Sequence, residues 1–135
     1  MRHTASRRIA TVAAMVAGIA VSTVVSAQPA LAGGCEHWWE PCGEVQNYSG
    51  SGVYITLNWG SNNDDRWNSS RWLPDGQEYG GGTIDVDGFY VTARCRVQMM
   101  IIPDGGSIVH EWRFGPQWHN VSSNWTARLL NYTCE

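Results

Sequence analysis

The clearest hydrophobic pattern in the sequence covers residues 88–114, where apolar and polar residues alternate on both sides of a Pro-Asp-Gly-Gly turn at residues 103–106. Alternation with a period of two beside such a turn predicts two paired strands that share one buried face. With that loop, Ile101 would pair with Ile108. The predicted buried positions are Ala93, Cys95, Val97, Met99, Ile101, Ile108, His110, Trp112 and Phe114, and the predicted polar face carries Arg94, Arg96, Gln98, Glu111 and Arg113.

Other segments give the same kind of signal over shorter distances. The strongest begins at Val53, where Val53, Ile55, Leu57 and Trp59 alternate with polar or aromatic residues. Further candidate strands cover residues 44–48, 77–79, 83–86, 89–91, 118–121 and 125–132, and Asp87-Gly88 fits a tight hairpin turn between two of them. No segment after residue 32 has a helical period. The sequence therefore predicts an all-β fold, a small antiparallel β-sandwich or barrel.

The segment from Arg66 to Leu73 contains an Arg-Trp pair twice, five residues apart. On a regular strand, an odd offset places Trp67 and Trp72 on opposite faces, because successive side chains alternate. We therefore expect one of these indoles to lie in the core.

The N-terminal residues resemble a targeting segment rather than part of the fold. Arg2, Arg7 and Arg8 precede a short apolar stretch, and Ala30-Leu31-Ala32 provides a small-x-small cleavage pattern. This arrangement predicts a signal peptide at residues 1–32 and one secreted β domain at residues 33–135. The alternative is a transmembrane anchor, but the apolar stretch is short for that role and no later segment is long enough to span a bilayer.

All four cysteines, Cys35, Cys42, Cys95 and Cys134, lie after the predicted cleavage site. An even number in a short secreted chain predicts two disulfides, for which three pairings are possible. A zinc site with four thiolates is the alternative. It is disfavoured because no Cys-x2-Cys pair is present.

The charge of the predicted mature chain limits its partners. It keeps six of the nine basic residues, all arginine, and all twelve acidic residues, which gives a formal charge of −6. A net acidic chain without lysine is a poor match for nucleic acid or an anionic membrane. We expect neither of these partners, and no membrane span after cleavage of the signal peptide.

Tryptophan is the compositional anomaly, because all eight lie after residue 32. Aromatic rings stack on the C–H faces of sugars, and the indole offers the largest such surface. The alternative is that Trp fills a core that contains only two Phe. A chain this short cannot bury all eight indoles. The candidate ligand-binding residues are Trp38, Trp39, Trp67 and Trp72, with Arg66, Arg71 and Asn68 as nearby hydrogen-bond donors.

Signals for catalysis are weak. Asp85 and Asp87 are close in sequence, but Asp87 is explained by its predicted turn, and paired carboxylates need a defined separation across a cleft. His37, His110 and His119 show no metal-ligand spacing, and no nucleophile or phosphate-binding motif is present. We expect no enzyme activity, no metal and no cofactor.

The sequence contains two further motifs. Asn-x-Ser/Thr sequons occur at Asn47, Asn68, Asn120, Asn124 and Asn131. They would mark a glycosylated surface in a eukaryotic secretory pathway, and otherwise they predict only exposed polar positions. Separately, Trp112-Arg113-Phe114 resembles the Trp-Arg-Tyr triplet of small secreted α-amylase inhibitors of the tendamistat type, which are also all-β proteins with four cysteines. In those inhibitors the triplet lies between the first two cysteines, whereas here it lies between the third and fourth. The chain is not assigned to that family.

Together these observations predict a small secreted, non-catalytic binding module that recognises carbohydrate or a cell-wall polymer through exposed Trp. The alternative is an inhibitor of an extracellular hydrolase, which would present a rigid loop such as the one between Cys35 and Cys42. The expected partner is accordingly an extracellular glycan or a secreted hydrolase. The pattern leaves the oligomeric state open.

Overall fold

A computed structural model describes Cys35 and residues 41–135, and these form two β-sheets packed face to face with one short helix. The predicted signal peptide lies outside the described residues. The elements in chain order are β1 (Glu44–Tyr48), β2 (Val53–Thr56), α1 (Asn63–Asn68), β3 (Ser70–Leu73), β4 (Gln77–Gly80), β5 (Gly88–Val91), β6 (Cys95–Pro103), β7 (Val109–Phe114), β8 (Gln117–Asn120) and β9 (Trp125–Cys134). The predicted all-β class is confirmed.

The larger sheet has five strands in the order β4-β1-β9-β6-β7. Its neighbours are antiparallel except for β1 and β9, which run parallel, with Glu44 beside Thr126. A register shift between Val97 and Gln98 interrupts the ladder between β6 and β9. The smaller sheet has four antiparallel strands in the order β3-β2-β5-β8.

The core fills the space between the two sheets and follows the alternation of the sequence. Val97, Met99 and Ile101 of β6 point inward, as predicted, and meet Ile55 and Phe89 in the same cluster. Fully burying an aliphatic or aromatic side chain contributes about 1.5–3 kcal/mol. The remaining members of the cluster are Val45, Val53, Leu73, Val86, Val91, Cys95, Val121, Ala127 and Leu129.

The predicted hairpin of β6 and β7 forms, but its register is shifted by one residue. Ile101 pairs with Val109 rather than Ile108, because the loop contains one residue more than predicted. A shift of one residue moves every side chain of a strand to the opposite face. The predicted buried positions Ile108, His110, Trp112 and Phe114 are therefore exposed, as is Ala93, while Glu111 and Arg113 pair with each other on the inner side.

Two other local predictions are wrong. Residues 83–86 do not form a hairpin with β5, which pairs instead with β2 and β8. Residues 63–68 form a helix, although no helical period was expected there. The helix is only six residues long, too short for a periodic pattern. Its start is nevertheless encoded, because the Asn62 side chain accepts a hydrogen bond from the backbone N–H of Asp65, a typical N-cap.

The four cysteines form two disulfides, as predicted, and the structure selects one of the three pairings: Cys35–Cys42 and Cys95–Cys134. Cys95 and Cys134 are also direct partners in the ladder of β6 and β9. Among the described residues, no helix combines the length and the apolar character needed to cross a bilayer.

One sequon does not mark an exposed position. Asn47 is fully buried, and its amide donates hydrogen bonds to the carbonyl oxygens of Ser51 and Leu73 at 2.8 and 3.1 Å. It thereby satisfies buried backbone acceptors at the turn after β1, where an unpaired acceptor would be costly. The sequons at Asn68, Asn120, Asn124 and Asn131 are exposed, as predicted.

Candidate functional site

The outer face of the four-stranded sheet carries a row of aromatic side chains that crosses all four strands. Trp72 of β3 pairs with Tyr54 of β2, Tyr54 pairs with Tyr90 of β5, and Tyr90 pairs with Trp118 of β8. Their sequence neighbours Leu73, Ile55 and Phe89 point into the core, so these four rings point outward. We call these four residues the aromatic row. Three strand spacings of about 4.8 Å make it roughly 14 Å long.

Within the row, the rings of two strand pairs contact each other at steep angles. The centroids of Tyr54 and Trp72 lie 4.9 Å apart with the ring planes at 68°, and those of Tyr90 and Trp118 lie 5.3 Å apart at 59°. Such contacts are worth about 0.5–1.5 kcal/mol each beyond the area that they bury. The surface is therefore ridged and firmly held rather than a flat platform.

Trp67 of α1 lies over the row and joins its members. Its ring centroid is 5.3 Å from that of Tyr54, 4.8 Å from that of Tyr90 and 4.9 Å from that of Trp118. Trp118 is consequently buried, and its indole Nε1 has no hydrogen-bond partner among the described residues. Trp67 itself is 40% exposed.

The helix is held over the sheet by a buried threonine. Thr56 Oγ1 is 2.9 Å from the carbonyl oxygen of Arg66 and 2.7 Å from Ser69 Oγ, so it ties the C-terminal end of the helix to β2. Trp59 lies beside the helix, against Gly88 of β5. A side chain at Gly88 would meet the indole, since a Cβ atom there would lie 2.8 Å from Trp59 Cζ3.

Trp72 is the most exposed indole of the surface, at 52%. Its benzene ring rests against the backbone of Gly52, where any Cβ atom would overlap it. The glycine therefore supports one side of the indole and leaves the rest open to solvent. Together, Trp67 and Trp72 are the two accessible indoles of this face.

Of the predicted site residues that the structure describes, only Trp67 and Trp72 come together on the aromatic face. Trp67 and Trp72 lie on the same face, on either side of Tyr54, so the prediction of opposite faces with one core indole is wrong. The reason is that residues 66–73 are a helix followed by a strand, not one regular strand. Trp38 and Trp39 lie outside the described residues.

The predicted polar donors are placed differently. The Arg66 guanidinium stacks on the Trp59 ring, 4.2 Å from its centroid, at the margin of the surface. The Arg71 guanidinium stacks on the Tyr79 ring at 4.0 Å, and Arg71 alternates with Trp72 along β3, so it faces away from the row. Asn68 is exposed in the last turn of α1.

Three members of the row were missed by the sequence analysis: Tyr54, Tyr90 and Trp118. Tyr54 and Tyr90 occupy the alternate, outward positions of strands whose inward positions were recognised as core. An aromatic residue at the outward position of three neighbouring strands was the available signal. Using it required the strand order, which the sequence alone does not provide.

A second, smaller aromatic patch lies on the opposite side of the molecule. Trp112 and Phe114 of β7 are 42% and 54% exposed, and the Arg96 guanidinium lies 4.9 Å from the Trp112 ring centroid. A hollow of about 450 Å³ adjoins Phe114 and is lined by charged side chains of both signs, Arg94, Arg96 and Glu135.

The two neighbouring aspartates act as structural acceptors. Asp85 is buried and accepts hydrogen bonds from Gly43 N at 2.6 Å and Ser123 Oγ at 2.9 Å. Burial, followed by the negative charge of Asp85, raises the pKa of Asp87, which accepts a hydrogen bond from Trp59 N at 3.1 Å. The described part of the chain contains no group of three or more His, Cys, Asp or Glu side chains placed to share a metal ion.

Comparison with known proteins gives no assignment for this fold or surface. No protein-family model matches the chain, and no curated protein or solved structure proved similar to it. The aromatic row, Trp67 and the groups around them form the surface of the described residues that is best suited to bind a ligand. Chemically, this surface offers exposed ring faces, indole N–H groups and phenol hydroxyls, without a charged side chain in the row itself.

Proposed function

We propose that this protein is a small, secreted, non-catalytic module that binds carbohydrate or a cell-wall polymer on the outer face of its four-stranded sheet. The observation that carries the proposal is the aromatic row with Trp67 above it. Five rings from four strands and a helix are gathered on one surface, and two indoles remain substantially exposed. Exposed aromatic surface of this extent is typical of a recognition site.

The chemistry of the surface favours a neutral, extended ligand with C–H faces. Aromatic rings attract such faces through their electron-rich π systems, and Tyr and Trp add polar groups that can bond hydroxyls. A ligand of several linked sugars would match a surface roughly 14 Å long. An ionic polymer would find no counter-charge within the row.

Secretion is part of the same proposal. Two disulfides stabilise the described fold, and such bonds persist in oxidising compartments. The predicted signal peptide at residues 1–32 points in the same direction. The predicted alternative, an inhibitor that presents the loop between Cys35 and Cys42, gains no specific support, because residues 36–40 lie outside the described part of the chain.

Titration with soluble oligosaccharides tests the proposal. The protein is titrated with oligomers of glucose and of N-acetylglucosamine while Trp emission and the heat of binding are recorded. We expect saturable binding, and we expect Trp72→Ala to weaken it by about tenfold, the equivalent of roughly 1.4 kcal/mol for one stacked ring. The heat measurement is needed because the substitution also removes a fluorophore.

Trp112→Ala is the matched control. Trp112 is similarly exposed but lies on the other sheet, so its removal should leave the affinity unchanged. Equal losses in both variants, or no binding of any oligosaccharide, would contradict the proposal. Inhibition of a secreted amylase or protease without sugar binding would instead support the alternative.

A further inference from the structure

A hollow beside the aromatic row indicates which sugars the surface is built to accept. On the outer face, the next position beyond Tyr54 is Gly52, and the next beyond Tyr90 is Thr92. The small residues Gly52 and Thr92 thus lie next to the large rings of Tyr54 and Tyr90, and the outer surface of the sheet drops at this point. The resulting hollow has a volume of about 200 Å³. On the other side of the row, the corresponding positions Thr56 and Gly88 are covered by α1 and Trp59.

The hollow has one apolar wall and one hydroxyl-bearing wall. The rings of Trp72, Tyr54 and Tyr90 line the first, and Thr92 and Tyr132 line the second. A volume of about 200 Å³ is several times the roughly 30 Å³ that one water molecule occupies in the liquid. A compact group with a methyl at one end and a polar atom at the other would satisfy both walls.

The hydroxyl wall presents hydrogen-bond acceptors. Tyr132 OH accepts from Thr92 N at 2.8 Å, and Thr92 Oγ1 donates to Cys95 Sγ at 3.0 Å. The hydroxyl oxygens of Thr92 and Tyr132 lie 2.9 Å apart, and either can donate to the other. In both arrangements Thr92 Oγ1 keeps at least one free lone pair that can accept a hydrogen bond. The complementary ligand group is an N–H donor.

We infer that the hollow receives the acetamido group of an N-acetylated amino sugar, and that the ligand of the aromatic row is a polymer of such sugars. The methyl packs on the rings of the apolar wall, and the amide N–H donates a hydrogen bond to the free lone pair of Thr92 Oγ1. An unsubstituted hexose would leave the hollow unfilled, and an unacetylated amino sugar would lack the methyl that packs on the apolar wall. This inference rests on the proposed function and specifies its substrate class.

The test compares three oligomers of equal length by the heat of binding: N-acetylglucosamine, its deacetylated glucosamine form and glucose with the same linkage. High ionic strength is used so that cationic glucosamine is not attracted to the acidic chain. We expect the acetylated oligomer to bind about tenfold more tightly than the other two, the effect expected from one buried methyl and one hydrogen bond. Equal affinities for acetylated and glucose oligomers would overturn the inference and leave the proposed function intact.

Two substitutions at the exposed Thr92 locate the effect. Thr92→Leu fills the hollow and should remove the preference for the acetylated oligomer without weakening the glucose oligomer. Thr92→Val keeps the shape but removes the acceptor, so it should retain only part of the preference. A loss of affinity for all oligomers in Thr92→Leu would overturn the assignment of the hollow. Absence of binding by every oligomer to the unsubstituted protein would overturn the inference and the proposed function together.

Discussion

Single side chains on the aromatic surface differ in how much structure depends on them. Trp67 contacts three other rings and covers Trp118, so it holds α1 to the sheet as well as exposing a ring. Trp72 contacts Tyr54 and the backbone of Gly52 and is more exposed. Substitution of Trp72 should therefore affect the proposed ligand binding with less loss of stability than substitution of Trp67.

His119 should make the fold sensitive to mild acid. Burial lowers the pKa of His119 below its ordinary value of about 6.5, although its hydrogen bond to the Phe114 carbonyl oxygen, at 3.0 Å, opposes this effect. The unfolded chain therefore binds a proton first as the pH falls. Stability should be constant above about pH 6.5, decline below it and level off once the folded protein is also protonated. Urea unfolding between pH 7.5 and 4.5 measures this decline.

His119→Gln should remove that part of the pH dependence, because a neutral amide can still donate to the Phe114 carbonyl. His110→Gln, at an exposed position of β7, is the matched control and should leave the decline in place. An unchanged profile in His119→Gln would show that another group causes the acid sensitivity.

At the scale of single residues, the sequence predicted inward-facing apolar side chains well and outward-facing ones poorly. The inward positions of β2 and β6 could be read because burial imposes a strict period of two. Trp67 and Trp72 were named as candidate ligand-binding rings, but one of them was wrongly expected in the core, and Tyr54 and Tyr90 were not selected. Their significance depends on which strands are neighbours, and that information is not local.

Among the elements, α1 depends most on one anchor. Thr56→Val keeps the shape of the side chain but removes its hydrogen bonds to the Arg66 carbonyl oxygen and to Ser69 Oγ. The Arg66 carbonyl oxygen then keeps only a longer hydrogen bond from Ser69 Oγ, at 3.3 Å, and the net loss of one hydrogen bond costs about 0.5–1.5 kcal/mol. We expect loss of stability and faster hydrogen exchange of the backbone amides in α1. Amide exchange measured by mass spectrometry tests this directly.

Thr126→Val is the control for that variant. Thr126 also donates a side-chain hydrogen bond, to Glu44 Oε2 at 3.1 Å, but on the outer face of the five-stranded sheet. It should leave exchange in α1 unchanged. Equal exchange in α1 for both variants would refute the anchoring role of Thr56.

The elements that the sequence predicted wrongly share a physical cause. In β7, one extra residue in the loop shifted the register, so the side chains predicted to face the core point outward. The turn sets the register, and the apolar residues of β7 did not specify which face is buried. In α1, six residues are too few for a period, and only the Asn62 cap marks the start. Segments with continuous, one-sided burial, such as β6, were predicted correctly.

For the molecule as a whole, the disulfide between Cys95 and Cys134 should contribute more stability than the other. It closes a loop of about 40 residues, for which the chain-entropy model gives about 4 kcal/mol, against about 2.5 kcal/mol for the short loop between Cys35 and Cys42. Double Cys→Ala variants of each pair, unfolded in urea, test this order. A larger loss in the Cys35/Cys42 variant would contradict it.

Architecture at this scale could be predicted only as a class. Short alternating strands and paired cysteines indicated a cross-linked β-sandwich or barrel, and the two packed sheets agree with this. The parallel pairing of β1 with β9 could not be foreseen. Consecutive antiparallel strands are the default for short connections, whereas this contact joins segments more than 80 residues apart, as in the hydrogen bond from Arg128 to Gln46.

That pairing has a consequence for how the chain acquires its structure. Strand β9 lies between β1 and β6, so neither half of the five-stranded sheet is complete without it. It is also the last strand in chain order. Pairing it with β1 closes a very long loop, so the chain loses conformational entropy before the new contact adds stability. Topologies dominated by such distant contacts fold slowly. During synthesis, and until β9 has docked, β1 and β6 therefore each lack the neighbouring strand that residues 125–134 provide.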